Sequence, residues 1–140
     1  MGGPDMINGY LSAAFDLLNV GDLDVIAEAR RRCDYLVIGV YSDDDVARAN
    51  GRPPVVPLTE RLELVRHVRG VDHVITHGDL DAEDLRSSHT VFVVGDAPVR
   101  RSAPDGSWIE PGRRTRSQEL RAALLPAFAS PVDADRFGVA

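Results

Sequence analysis

The sequence contains no lysine: all sixteen of its basic residues are arginine. That excludes a Schiff-base lysine and the lysine of a phosphate-binding loop. A single cysteine, Cys33, excludes an intrachain disulfide framework and any zinc site built from several thiolates. No apolar run approaches 18 residues and no basic-then-apolar segment opens the chain, so a cytoplasmic protein without membrane attachment is expected. An excess of positive charge is also missing. Sixteen basic residues against 22 acidic ones leave a formal net charge of −6, and the pI is near 5.1. That balance argues against general binding to nucleic acid or to an anionic membrane.

What is present suffices for one domain. A chain of 140 residues can bury roughly two thirds of its unfolded surface on folding, enough for one sizeable core. The domain is expected over residues 7–125, after a leader at 1–6 and before a loose tail at 126–140. Tyr35 to Tyr41 and Thr90 to Gly95 are short, β-branched and almost unbroken, which suits parallel strands covered on both faces. Val71 to Thr76 is a shorter third, and Ile7 to Ala13 is a first strand weakened by Gly9.

Helix signals fill the intervals. Leu23, Ile26, Ala27 and Ala29 or Arg30 predict a helix from about Asp22 to Cys33. Thr59 is predicted to cap a helix with Leu62, Leu64, Val65 and Val68 on its apolar face. Asp79 or Asp81 caps a short helix ending near Ser88, and Thr115 or Ser117 caps a last one stopped by Pro126. Asn50 to Pro57 reads as a proline-rich loop, and Ala97 to Arg114 as a long polar loop with one short strand at Trp108-Ile109. The alternation predicts an α/β fold: a Rossmann-like, doubly wound parallel sheet in a single domain.

Open parallel sheets bind ligands beyond the carboxyl ends of their strands, near the point where strand order reverses. Neither G-x-G-x-x-G after the first strand nor G-x-x-x-x-G-K-[ST] is present, which removes the main support for a dinucleotide oxidoreductase or a P-loop NTPase. From Arg100 to Arg121 six arginines face three acids. In an acidic protein that excess reads either as an anion site or as a solvated basic loop.

Phe15-Asp16-Leu17-Leu18-Asn19-Val20-Gly21-Asp22 resembles the F-D-x-x-H-x-G-H signature of the cytidylyltransferases, within the wider nucleotidyltransferase superfamily. The nearest subgroup is glycerol-3-phosphate cytidylyltransferase. Further matches follow in order: Asp34 to Val40 with the Ser42-Asp43 turn, Glu60-Arg61 with Leu64-Val65, Val71-Asp72-His73-Val74-Ile75, Val94-Gly95-Asp96, and Arg114-Thr115 with Ser117. The resemblance spans roughly Ile7 to Leu125. It implies transfer of CMP from CTP to a small phosphorylated alcohol with release of pyrophosphate, Mg²⁺ bridging the phosphates, and a homodimer. The apolar loop Pro53 to Pro57 is the expected contributor to that dimer. Residue by residue, the resemblance implies nucleotide or substrate contacts at Ala14, Phe15, Asp16, Gly21, Arg48, Arg61, Asp96, Arg114, Thr115 and Ser117.

The departures fall on the chemistry. The two histidines of H-x-G-H, which bind phosphates in that family, are Asn19 and Asp22 here. The small polar residue before F-D is Ala14, and the lysine after the second strand is absent, with Arg48 or Arg52 as the substitutes on offer. A carboxylate about 4 Å from a phosphate oxygen costs on the order of 4 kcal/mol at an effective dielectric near 20. As first residue of its helix, Asp22 is also expected to accept the N–H of Asp24 or Val25 and so to fill the anion position. Loss of two positioned imidazoles removes roughly 10²–10⁴-fold in rate each, if they act independently. Two function classes follow: a weakened or inactive transferase, or a non-catalytic relative that senses nucleotide or partners an active enzyme.

The remaining polar residues have structural readings beside functional ones. Asp43-Asp44-Asp45 reads as a helix cap facing solvent or as a metal site. His73 and His77 have helical metal-pair spacing, but they straddle the end of a predicted strand. Cys33 reads as a small core residue, and Trp108 as a lid over the core or a base-stacking platform.

Overall fold

A computed structural model describes residues 6–95 and 97–113, together with 116, 119, 120, 122 and 123. The chain runs β1 (Asn8–Ala13), α1 (Val20–Arg31), β2 (Tyr35–Val40), α2 (Asp43–Asn50), α3 (Leu58–Arg66) and β3 (His73–Thr76). It continues through α4 (Ala82–Ser88), β4 (Thr90–Val91), β5 (Val93–Val94), α5 (Ala97–Ser102) and β6 (Trp108–Ile109). Among the described residues every strand pairing is parallel, in the order β3-β2-β1-β4, with a second pair β5-β6. This is the expected Rossmann-like sheet with alternating helices. Strand order reverses at β1, so the crevice beyond the C-terminal end of β1 is the topological switch point.

Alternation along the central strands assigns the two faces. Leu11, Leu36, Ile38, Val40 and Val74 point to one side, where Ile26 and Ala29 of α1 and Val65 of α3 pack on them with Phe92 and Ile109. Tyr10 and Val37 point to the other side, against Leu85 of α4. The strands lie buried between helices, which explains why they read as near-continuous apolar runs.

Several boundaries differ from the sequence expectation. Helix α1 starts at Val20 and ends at Arg31, because Asn19 rather than Asp22 is its N-cap. Helix α2 occupies ground that the sequence reading left outside its helices. Ser42 caps it through the Asp45 N–H, and Gly51, at φ 75°, closes it in a left-handed conformation. Thr59 does not cap α3: the helix starts at Leu58, two residues earlier than a Thr59 cap would place it, with Pro57 at the N-cap position and no side-chain cap of its own. The Leu58 N–H is taken instead by Asp43 Oδ1, 3.0 Å away across the loop. The expected strand over Thr90 to Gly95 breaks at Phe92, where pairing switches: Phe92 donates its N–H to the Tyr10 carbonyl and Val93 to that of Ser107. The expected polar loop after residue 96 carries α5, and Trp108-Ile109 forms its strand as anticipated. The predicted last helix, the leader to residue 5 and the tail lie outside the described residues, apart from isolated positions.

Candidate functional site

The segment between β1 and α1 is built around a buried carboxylate. Phe15 and Leu17 both adopt left-handed backbone conformations, at φ 51° and 55°, which cost a non-glycine residue roughly 1–2 kcal/mol each. Phe15 recovers some of that by burying its ring in the core. Between the two, Asp16 is buried, and its two oxygens accept the N–H groups of Val55 and Val56, each at 2.9 Å. Asp16 thus ties the proline-rich loop to the switch point. Both valine amides are held this way, while the Val55 side chain stays exposed.

Arg61 completes the tie. It is fully buried and donates Nε to the Val56 carbonyl at 2.8 Å. One terminal nitrogen reaches the Ala14 and Tyr41 carbonyls at 2.8 and 2.7 Å, and the other reaches Asp43 Oδ1 at 2.6 Å. This arginine therefore connects the ends of β1 and β2, the loop and the start of α2. The geometry gives Asp16 and Arg61 a positioning role through protein partners, and Ala14 contributes a carbonyl to it.

At the N-terminus of α1, Asn19 and Asp22 form a reciprocal capping box. Asn19 Oδ1 accepts the Gly21 N–H at 2.9 Å and the Asp22 N–H at 3.4 Å, while Asp22 Oδ2 accepts the Asn19 N–H at 3.2 Å. The expectation that Asp22 accepts from Asp24 or Val25 is corrected: Asp22 stands at the third helical position and reaches back instead of forward. The two residues in place of the histidines satisfy donors that a helix otherwise leaves open at its start. Gly21 is buried beside them, against the segment that follows β6.

Other expected site residues are placed as follows. Arg48 sits in the last turn of α2 and pairs with Asp45 on the same helix, at the surface. The acidic run is likewise engaged, Asp43 by Arg61 and Asp45 by Arg48. Among the described residues no three Asp, Glu, His or Cys side chains converge on a cation position. Asp96, Arg114, Thr115 and Ser117 lie outside the described residues. Cys33 donates to the Ala29 carbonyl and packs against the core. Burial pushes its thiol above the ordinary value, the opposite of an activated nucleophile. Trp108 Nε1 donates to the Gly95 carbonyl at 2.7 Å, and the Arg100 guanidinium stands 4.9 Å from the ring centroid. In this strand it is the neighbouring Ile109 that is fully buried in the core.

One cluster escaped sequence reasoning. The Tyr10 hydroxyl lies 2.7 Å from His77 Nδ1, and the His77 ring lies 5.0 Å from that of Tyr41. His73 is exposed at the start of β3, and His77 follows the end of that strand. The signal was Gly39, a glycine inside a β-branched strand, which marks a close approach: a Cβ there would stand 1.8 Å from the Tyr10 hydroxyl.

Comparison with known proteins places this geometry. A 67-residue stretch is 42% identical to ethanolamine-phosphate cytidylyltransferase of Arabidopsis thaliana, covering 48% of this chain and 16% of that protein. Over 75 residues it is 35% identical to FAD synthase of Pyrococcus abyssi, covering 54% of this chain and 51% of the relative. The aligned stretches are thus about half of this chain and at most about half of these relatives. In fold it resembles the crystal structure of a lipopolysaccharide core biosynthesis protein from Thermoplasma volcanium, with a TM-score of 0.60 at 20% identity over 79% of this chain and 99% of that one. The family model described as cytidylyltransferase-like matches residues 10–121, which include the switch-point segment, the Arg61 tie and the capping box. The chain belongs to the cytidylyltransferase-like family.

Proposed function

We propose that this chain is a nucleotide-binding member of the nucleotidyltransferase superfamily whose transferase chemistry is weakened or absent. The ancestral reaction in this reading moves CMP from CTP to a small phosphorylated alcohol and releases pyrophosphate. The observation that carries the proposal is the capping box. Asn19 and Asp22 occupy the two positions where the resemblance implies phosphate-binding histidines, and they hydrogen-bond each other's backbone across the helix start. An incoming phosphate would have to displace the Asn19 oxygen from the Gly21 and Asp22 N–H groups and approach a carboxylate. Helix geometry and the arginine-rich segment still favour some anion affinity. The same observation favours the second class, a non-catalytic nucleotide sensor or partner of an active enzyme on the same fold. Mg²⁺ at such sites is held largely by the substrate's own phosphates, and no step of this reading runs through it.

Pyrophosphate release from CTP with a panel of sugar and polyol phosphates separates the two classes. The expected outcome is weak nucleotide binding and no sustained turnover; robust multiple turnover by the unmodified protein would show the weakened-site reading to be wrong. The double change Asn19→His with Asp22→His should tighten CTP binding by about 1–3 kcal/mol, since hydrogen bonds to charged groups are worth that much. It should also lower stability, because losing a polar N-cap typically costs about 1 kcal/mol. Calorimetric CTP titration and thermal melting of the same double mutant check both. Lower stability with unchanged CTP affinity would sink the pocket reading and leave Asn19 and Asp22 as a helix cap alone.

A further inference from the structure

Beyond β6 the chain crosses the first turns of α1 at very close range. A Cβ on Gly112 would stand 2.0 Å from the Gly21 carbonyl oxygen, so the two backbones meet where no side chain fits. One residue on, Arg113 closes onto Asp24. Its backbone N–H donates to Asp24 Oδ2 at 3.1 Å, its Nε to the same oxygen at 3.0 Å, and a terminal nitrogen to Oδ1 at 3.2 Å. One carboxylate thus receives three donors from one residue, and the fork geometry fixes direction as well as distance. The backbone hydrogen bond from Arg113, aided by its side chain, holds the Asp24 carboxyl below the ordinary carboxylate value.

The clasp adds little to global stability, since the Arg113 side chain is 67% exposed and the Asp24 side chain 35%. Its consequence is local. Gly112 lies on Gly21, inside the capping box, and Arg113 is followed in the chain by Arg114 and Thr115. A segment already fixed on the helix has less conformational freedom to lose when a ligand arrives, and preorganisation of that kind appears in affinity.

We propose that Asp24 is a positioning residue of the nucleotide site: by clasping Arg113 it holds residues 112–113 across the first turns of α1 and thereby sets the affinity of that crevice for a nucleoside triphosphate. The proposal rests on the reading of the crevice as a nucleotide site. Asp24 acts through Arg113 and not by touching the ligand, so its removal and that of Arg113 are coupled. The probe is CTP, titrated calorimetrically into the full chain carrying Asp24→Asn, Arg113→Gln, both changes, or Gly112→Ala.

Asp24→Asn is expected to weaken CTP binding about tenfold with a melting temperature close to that of the unmodified protein. Arg113→Gln should do the same, and the double change should cost no more than either single change. Gly112→Ala alters no charge, yet it should produce a comparable loss by forcing the segment off Gly21. Unchanged affinity in Asp24→Asn, or single losses that multiply to about a hundredfold in the double mutant, would overturn the clasp. If the unmodified protein itself binds no CTP, the nucleotide-site reading fails and takes this inference with it. That failure is distinct from binding that ignores Asp24.

Discussion

Gly39 shows how much one missing side chain can decide. It is the penultimate residue of β2, and the neighbouring strand β1 sends Tyr10 across beneath it. A Cβ at this position would stand 1.8 Å from the Tyr10 hydroxyl and 2.5 Å from the ring carbon that bears it. Gly39→Ala must therefore move a buried ring or push the paired strands away from each other, at about 1–3 kcal/mol for overpacking and about 1 kcal/mol more for the lost Tyr10–His77 hydrogen bond. Urea unfolding should show a loss of about 2–4 kcal/mol. Adding Tyr10→Phe should not restore it, because the ring carbon still collides. A Gly39→Ala protein within about 0.5 kcal/mol of the unmodified one, the usual scatter for surface substitutions, would refute this account. The residue types involved were plain in the sequence. Their meeting was not, because Tyr10 and Gly39 are far apart in the chain and are brought together by strand register.

At the scale of elements, the Asp16–Arg61 tie decides where α2, the proline-rich loop and α3 sit. Neither α2 nor the loop contributes much apolar packing; among the residues of α2 Val46 alone is buried. What holds them is polar. Asp16 takes two loop amides, Asp43 takes the first N–H of α3, and Arg61 takes three carbonyls and Asp43 itself. Arg61→Lys keeps the charge but not the fork, and an ammonium on a flexible stem cannot reach those four acceptors together. A buried acceptor left without its donor typically costs about 1–3 kcal/mol, and Arg61→Lys should lose at least that much in chemical denaturation. A lysine variant as stable as the original would mean that the loop is held by something else. The E-R dipeptide stood out in the sequence through its resemblance, but its partners are carbonyls, which every residue has. No spacing rule could have named Ala14, Tyr41 and Val56.

At the scale of the whole molecule, a chain without lysine leaves tyrosine and cysteine as the side chains that titrate between about pH 9 and 12. Tyr10 is pushed up to about 12, chiefly by burial and then by the charges of Tyr41 and Asp79. The phenol therefore stays protonated over the working range, hydrogen-bonded to His77 Nδ1. Its folded value lies above the unfolded value of 10.0, so the stability it contributes is full below pH 10. That stability is lost as pH climbs from 10 through about 12. A rise from 10.0 to about 12 corresponds to on the order of 2–3 kcal/mol. Burial likewise raises Cys33, which adds a loss of the same sign. Urea midpoints of the unmodified protein should fall across this interval, and those of Tyr10→Phe should fall less. Parallel curves for the two proteins would show that Tyr10 is not the group being titrated.

The sequence by itself determined the fold class, the first three strand segments and the family resemblance. Each of these is written locally, in runs of β-branched residues, helical spacings and contiguous motifs such as Phe15 to Asp22. It also determined that histidines are missing from the two positions where the resemblance implies phosphate contacts, since identity at a position needs no coordinates. The tertiary structure alone decided what took their place. Asp22 caps backward onto Asn19 because the helix starts at Val20, and a difference of two residues in a helix start lies below what apolar periodicity resolves. It alone decided that Asp16 and Arg61 bind the chain's own amides and carbonyls, and that Asp24 clasps Arg113 from 89 residues away. Such contacts join groups with no local pattern between them, and only the closing of the parallel sheet brings them within hydrogen-bonding distance.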